Sequence, residues 1–165
     1  MAQYDIYFKL RPPELTPADE LCRCLHTPMK LMYALSYNPL HCMNCNLEIP
    51  LDTLTLSSEV VEAIANWRDI YQAIYLLWLD SGSYEEWAQE QLSDITNEVN
   101  LRGRVVQEVV NSSRRCYYCH FQDQSAEHYQ PMKVCPICGD VLQDYTQGIF
   151  LQRICERDSI AVIGE

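Results

Sequence analysis

The chain has 165 residues, 48% of them hydrophobic, enough for one domain with an apolar core or a small domain with a metal-stapled appendage. Twenty-three acids against twelve bases give a formal net charge of −11, a field that repels phosphate backbones and attracts basic partners. The most apolar run, Ala73 to Leu79, is cut by Asp80 and is too short for a membrane span. Met1 to Asp5 lacks a basic and apolar leader, so the nine cysteines are expected as thiols of a soluble protein in a reducing cytoplasm.

Tyr4, Ile6, Phe8 and Leu10 alternate with polar neighbours, the period of a half-buried strand, and Pro12 and Pro13 end it. Leu47, Ile49 and Leu51 repeat the alternation weakly, with Pro50 restricting them to an edge or extended position. Val60, Ile64, Trp67, Tyr71, Ile74 and Trp78 step by three and four, predicting a helix from about Ser58 to Asp80 with Ser57 or Ser58 as cap and Gly82 as stop. Ser83 to Glu86 reads as a capping box. It opens a second helix of nearly thirty residues along Tyr84, Ala88, Leu92, Ile95, Val99, Val106 and Val110, with Gly103 as a kink or close-approach point. A connection this short makes the two helices antiparallel. Ile149 to Leu151 and Ile160 to Ile163 read as short strands closing a small ribbon sheet.

The cysteines carry the clearest chemistry. Cys116/Cys119 and Cys135/Cys138 are two Cys-x-x-Cys pairs separated by a fifteen-residue loop, and Gly139 follows the second pair where positive φ is often needed. Two sulfurs on a tight turn supply half of a tetrahedral Zn2+ site, with bonds of about 2.3 Å. The expected assignment places one Zn2+ among Cys116, Cys119, Cys135 and Cys138, and a second among Cys22, Cys24, Cys42 and Cys45. Cys155 is then left over as a buried thiol. Closed sulfur sites of this kind are structural. His26, His41, His120 and His128 lie near the cysteines and are read as solvated or supporting residues.

Asn38-Pro39-Leu40-His41-Cys42 with Cys45, the run Trp67 to Ala73, Gln91-Leu92, Arg102-Gly103-Arg104, Cys135-Pro136 with Cys138-Gly139, and Gly148 to Phe150 with Cys155 together resemble an uncharacterised bacterial family. That family is described as zinc-ribbon-containing, with nucleic-acid binding suggested, and the resemblance spans roughly residues 38–160. Its pattern places a final Cys-x-x-Cys after the Gly-x-Phe element, where this chain has Cys155-Glu156-Arg157-Asp158. The resemblance therefore implies one of two sites. Cys135, Cys138 and Cys155 keep the family site with Asp158 or another group as fourth ligand, or Cys116 and Cys119 replace the missing partner. The second is expected here, because four thiolates hold zinc better than three and a carboxylate.

No His-Glu-x-x-His, Gly-x-Ser-x-Gly, phosphate-binding glycine loop or zinc-deaminase signature is present, so catalysis is not expected. From residue 46 to residue 98, eleven acids face one base, Arg68. The expected function is non-enzymatic docking on a basic partner protein through Glu59, Glu62, Asp69, Glu85, Glu86, Asp94 and Glu98. Its most specific form is an immunity or inhibitor protein that masks a bacterial toxin. The alternative is nucleic-acid binding through Arg102, Arg104, Arg114 and Arg115, with Tyr117, Tyr118, His120 and Phe121 stacking on bases. The predicted fold class is α+β: an N-terminal strand region with the first knuckle over 1–56, an acidic antiparallel helical hairpin over 57–111, and a zinc-ribbon module over 112–165.

Overall fold

A computed structural model describes residue 12 and residues 14–164 of the chain. The strand expected from Tyr4 to Leu10 lies outside the described residues. Among the described residues, six short strands form one mixed sheet: β1 (Met29–Leu31), β2 (Leu40–Cys42), β3 (Cys116–Cys119), β4 (Gln143–Asp144), β5 (Gln152–Cys155) and β6 (Ile160–Ile163), in the order β2-β1-β3-β6-β5-β4. β1, β3 and β6 are mutually parallel; β2 pairs antiparallel with β1, β5 antiparallel with β6, and β4 antiparallel with β5. Strands from both ends of the chain thus share one sheet, and the helices form the crossover between β1 and β3.

The first helix, α1 (Ser58–Asp80), has the predicted bounds. Ser57 caps it by accepting the Val60 N–H at 3.4 Å. Gly82, at φ +66°, supplies the left-handed turn that ends it, and its N–H donates to Glu85 at 3.0 Å. Ile64, Trp67 and Tyr71 are buried, and Val60, Ile74 and Trp78 pack beside them.

The second helix is not continuous. It divides into α2 (Glu85–Ser93) and α3 (Glu98–Asn111). Asp94 accepts from the Thr96 N–H at 2.8 Å and hydroxyl at 2.7 Å, a local turn that competes with helix propagation. Asn100, fully buried one turn into α3, then donates to the carbonyls of Gln91 (3.2 Å), Leu92 (3.0 Å) and Asp94 (2.7 Å), groups that a continuous helix would have paired. The amide has two hydrogens for three acceptors, so one hydrogen is shared. Its oxygen accepts from the Tyr118 hydroxyl at 2.7 Å, which ties the break to the middle of the sheet.

The helices cover one face of the sheet. Trp67 meets Tyr118 edge-on at 6.0 Å and donates its indole N–H to the Val99 carbonyl at 3.0 Å. This crossing is close because of Gly103, where an added Cβ would lie 2.6 Å from Trp67 Nε1. The opposite face carries a smaller cluster of Met43, Tyr117, Ile154 and Ala161. Two strand expectations shift. Near Glu48 only a single bridge to His41 forms, followed by a 3-10 turn at Leu51–Thr53. The strand expected at Ile149 to Leu151 begins at Gln152 instead, because Gly148 crosses close to the Met43 carbonyl and the Ile149 N–H donates sideways to Asn44 at 2.8 Å.

Candidate metal centres

The first cluster is built where two loops meet at the end of β2. Cys42 closes the strand, and its carbonyl accepts the Asn46 N–H at 3.0 Å. Asn46 sits at φ +62°, a conformation that asparagine tolerates, and so the chain turns back after Cys45. Cys22 is drawn alongside by its N–H bond to the Glu48 carbonyl at 2.8 Å. The ligand atoms of Cys22, Cys24, Cys42 and Cys45 all lie within 4.8 Å of one another. Four sulfurs around one tetrahedral ion stand about 3.8 Å apart, so the donor set fits a thiophilic divalent metal.

Hydrogen bonds prepare this site for thiolates. The Asn44 N–H donates to Cys42 Sγ and the Cys24 N–H to Cys22 Sγ, both at 3.3 Å, and the Thr27 hydroxyl lies 3.1 Å from Cys42 Sγ. Burial opposes ionisation of Cys42, but the Thr27 hydroxyl and the N–H groups of Cys45 and Asn44 outweigh it and bring the thiol down to about 7. Burial pushes Cys22 up. A bound cation favours the thiolate form of all four.

The second cluster comprises Cys135, Cys138, Cys155 and Asp158, again within 4.8 Å of one another. A tight turn presents Cys135 and Cys138: the Gly139 N–H donates to the Cys135 carbonyl at 2.9 Å, and Gly139 has the positive φ, +76°, anticipated for it. Cys155 ends β5, and Asp158 lies in the turn to β6. Cys138 and Cys155 sulfurs are 3.7 Å apart, and Asp158 Oδ2 is 3.3 Å from Cys135 Sγ and 3.5 Å from Cys155 Sγ. The thiol of Cys138 donates toward Asp158, which holds that carboxyl below its usual value and raises Cys138. Burial pushes Cys135 up to about 12.

The expected pairing of Cys116 and Cys119 with Cys135 and Cys138 is therefore corrected. Cys116 and Cys119 occupy the ends of an extended strand, buried to 0% and 9% exposure. Residues three apart in a strand are about 10 Å apart and point to opposite faces, so they cannot share an ion. Burial raises both thiols, Cys116 to about 12. Asp158, the alternative fourth donor, holds that place. Among the histidines, His41 is buried with Nδ1 3.0 Å from the Asn46 carbonyl, and neither cluster contains a histidine.

The acidic residues lie on the helical layer. Glu59, Glu62, Asp69, Glu86, Asp94 and Glu98 are exposed and Glu85 is half-buried. Several have local partners: Asp69 pairs with Arg68 at 2.7 Å, Glu98 with Arg102 at 2.6 Å, Glu85 accepts from Gly82 and Asp94 from Thr96. Of the residues considered for nucleic-acid stacking, Tyr117, Tyr118 and His120 are only 2%, 0% and 3% exposed, and Phe121 is half-buried. Arg114 donates to the Thr27 carbonyl, while Arg115 pairs with Glu156 at 2.6 Å and lies over the Tyr117 ring. No described helix is long and apolar enough to cross a membrane.

Residues 24–121 match the family described as Domain of unknown function (DUF2310), which is 98 of the 165 residues. The chain belongs to this family. The match includes Cys24, Cys42 and Cys45 of the first cluster and the whole helical layer, and it ends before the second cluster. No curated protein and no solved structure matches the chain.

Proposed function

We propose that the chain is a binding protein, not an enzyme, in which two Zn2+ ions staple the ends of the sheet and the acidic helical layer docks on a basic partner protein. Zinc suits the donors best: three or four thiolates in a tetrahedral arrangement are its common structural ligands. The first ion would link residues 22–24 to residues 42–45, and the second would link residues 135–138 to residues 155–158 as a C-terminal ribbon. When bound, zinc supplies folding free energy and leaves no open position for substrate.

The observation that carries the docking reading is the charge of the helices. From residue 58 to residue 111 there are ten acids and three bases, and nine of those acids are exposed. Two of the three arginines, Arg68 and Arg102, are engaged by carboxylates of the same layer. Such a surface raises association rates with positively charged partners. The most specific form of the reading is inhibition of a toxin whose basic face binds nucleic acid, with carboxylates standing in for phosphates. Burial of Tyr117, Tyr118 and His120 favours this reading over nucleic-acid binding.

The test is affinity capture from the native host with wild type and with a Glu62→Gln/Glu86→Gln/Glu90→Gln variant. The expected result is a basic protein retained at low salt, lost at high salt, and lost with the variant. Equal recovery under all three conditions would refute electrostatic docking.

A further inference from the structure

A groove of about 470 Å³ opens where α1 faces the β1–β2 connection and the segment after β3. Tyr33, Tyr71, Tyr75, Trp78 and Phe121 line it, together with His120. The rings form one continuous edge-to-face wall, with centroids 5.0 Å apart for Tyr33 and Tyr75, 5.1 Å for Tyr75 and Trp78, and 4.9 Å for Trp78 and Phe121. Tyr75, Trp78 and Phe121 are half-buried, so this wall meets solvent and is not wholly core.

We propose that this groove receives the guanidinium of an arginine side chain carried by the basic partner. The proposal rests on the docking reading above and names the side chain that would anchor it.

Three observations select that group. Among the described residues, no lysine, arginine, aspartate or glutamate lines the groove, in a chain of net charge −11. A phosphate would find no cation there, whereas a cation gains from the negative ring faces and from the long-range field. His120 Nδ1 is buried without a hydrogen-bond partner among the described residues, while the other ring nitrogen faces the Ser93 carbonyl. Burial brings His120 down to about 4, so at neutral pH Nδ1 is a lone-pair acceptor. His120 lines the groove, and an N–H donor that reaches Nδ1 would satisfy it. A guanidinium meets both demands, because its plane stacks on aromatic rings while its fork of N–H groups donates in that plane, which a compact ammonium cannot do.

The test is NMR titration of the full zinc-loaded chain with N-acetylarginine N-methylamide, its citrulline counterpart and AMP. The arginine amide is expected to shift the Tyr75, Trp78 and Phe121 signals. The neutral citrulline amide should bind about three- to thirtyfold more weakly, the range of one cation–π contact. Phe121→Leu should weaken the amide while leaving the melting transition in place, and Tyr75→Leu provides the same readout if Phe121→Leu unfolds. Equal binding of the citrulline amide, tighter binding of AMP at the same signals, or no shifts at about 50 mM amide, far above a millimolar dissociation constant, would overturn the proposal. Salt-sensitive capture of a basic partner that survives Phe121→Leu, with no amide shifts, removes the groove alone. Amide binding without any salt-sensitive capture removes the acidic-face reading alone.

Discussion

Asn100→Leu is the most informative single change in the fold. The native side chain donates to three main-chain carbonyls, at 3.2, 3.0 and 2.7 Å, and accepts the Tyr118 hydroxyl at 2.7 Å, all in a site with no solvent exposure. Leucine keeps the branched shape and heavy-atom count but leaves the end of α2 and a buried phenol unpaired. Each lost bond is worth about 1 kcal/mol, and each stranded buried group costs about 1–3 kcal/mol, so the destabilisation should be on the order of 4 kcal/mol. For a chain of this size that lowers Tm by about 8–16 °C. Chemical denaturation with zinc held in excess measures it, and Asn100→Leu/Tyr118→Phe completes a double-mutant cycle. The phenol–amide bond predicts that removing both partners costs less than the sum of the single changes, by about 1 kcal/mol or more. A loss below about 1 kcal/mol for Asn100→Leu, or additive single changes, would refute the claim that this amide fastens the helix break to the sheet.

Gly103→Ala would gain about 1 kcal/mol of helix propensity but force a methyl to 2.6 Å from Trp67 Nε1 and 2.9 Å from Tyr118 Cζ. Overpacking costs about 1–3 kcal/mol, so a net loss of up to about 2 kcal/mol is expected by thermal melting, and a stabilised variant would contradict the close crossing. His120 gives a pH signature. Burial lowers its folded value to about 4, below the unfolded value of about 6.5, so the stability it contributes is full above pH 6.5 and is lost as pH falls toward 4. The full loss is on the order of 3 kcal/mol, of which about 2 kcal/mol falls between pH 7 and 4.5, and His120→Asn should flatten the stability profile by that smaller amount over this range; parallel profiles would contradict it.

The helical layer was legible from the sequence wherever period and caps agreed. The step of three and four from Val60 to Trp78, bounded by Ser57 and Gly82, gave α1 its observed limits. The same stripe ran through Leu92, Ile95 and Val99 and hid the break between them, because all three remain buried on either side of it. The legible signal for the break was Asp94-Ile95-Thr96-Asn97, where short polar side chains bond their own backbone. The cysteine assignment failed on the same kind of detail. Cys42-Met43-Asn44-Cys45 is followed by Asn46, and Cys135-Pro136-Ile137-Cys138 by Gly139, residues that turn the chain back. Cys116-Tyr117-Tyr118-Cys119 contains two strand-forming tyrosines and no turn residue, which marks it as extended. The aromatic groove was beyond sequence reach, since Tyr33, Tyr75 and Phe121 converge only through tertiary packing.

The central claim, two metal centres of which the second uses Cys155 and Asp158, is tested most directly by counting zinc. Purified protein should carry two equivalents, one for each donor set. Cys116→Ser/Cys119→Ser should retain both, while Cys155→Ser should lose one, and Asp158→Ala should release one equivalent to a chelator far sooner than wild type. Loss of an equivalent with Cys116→Ser/Cys119→Ser, or two tightly held ions in Cys155→Ser, would contradict the account.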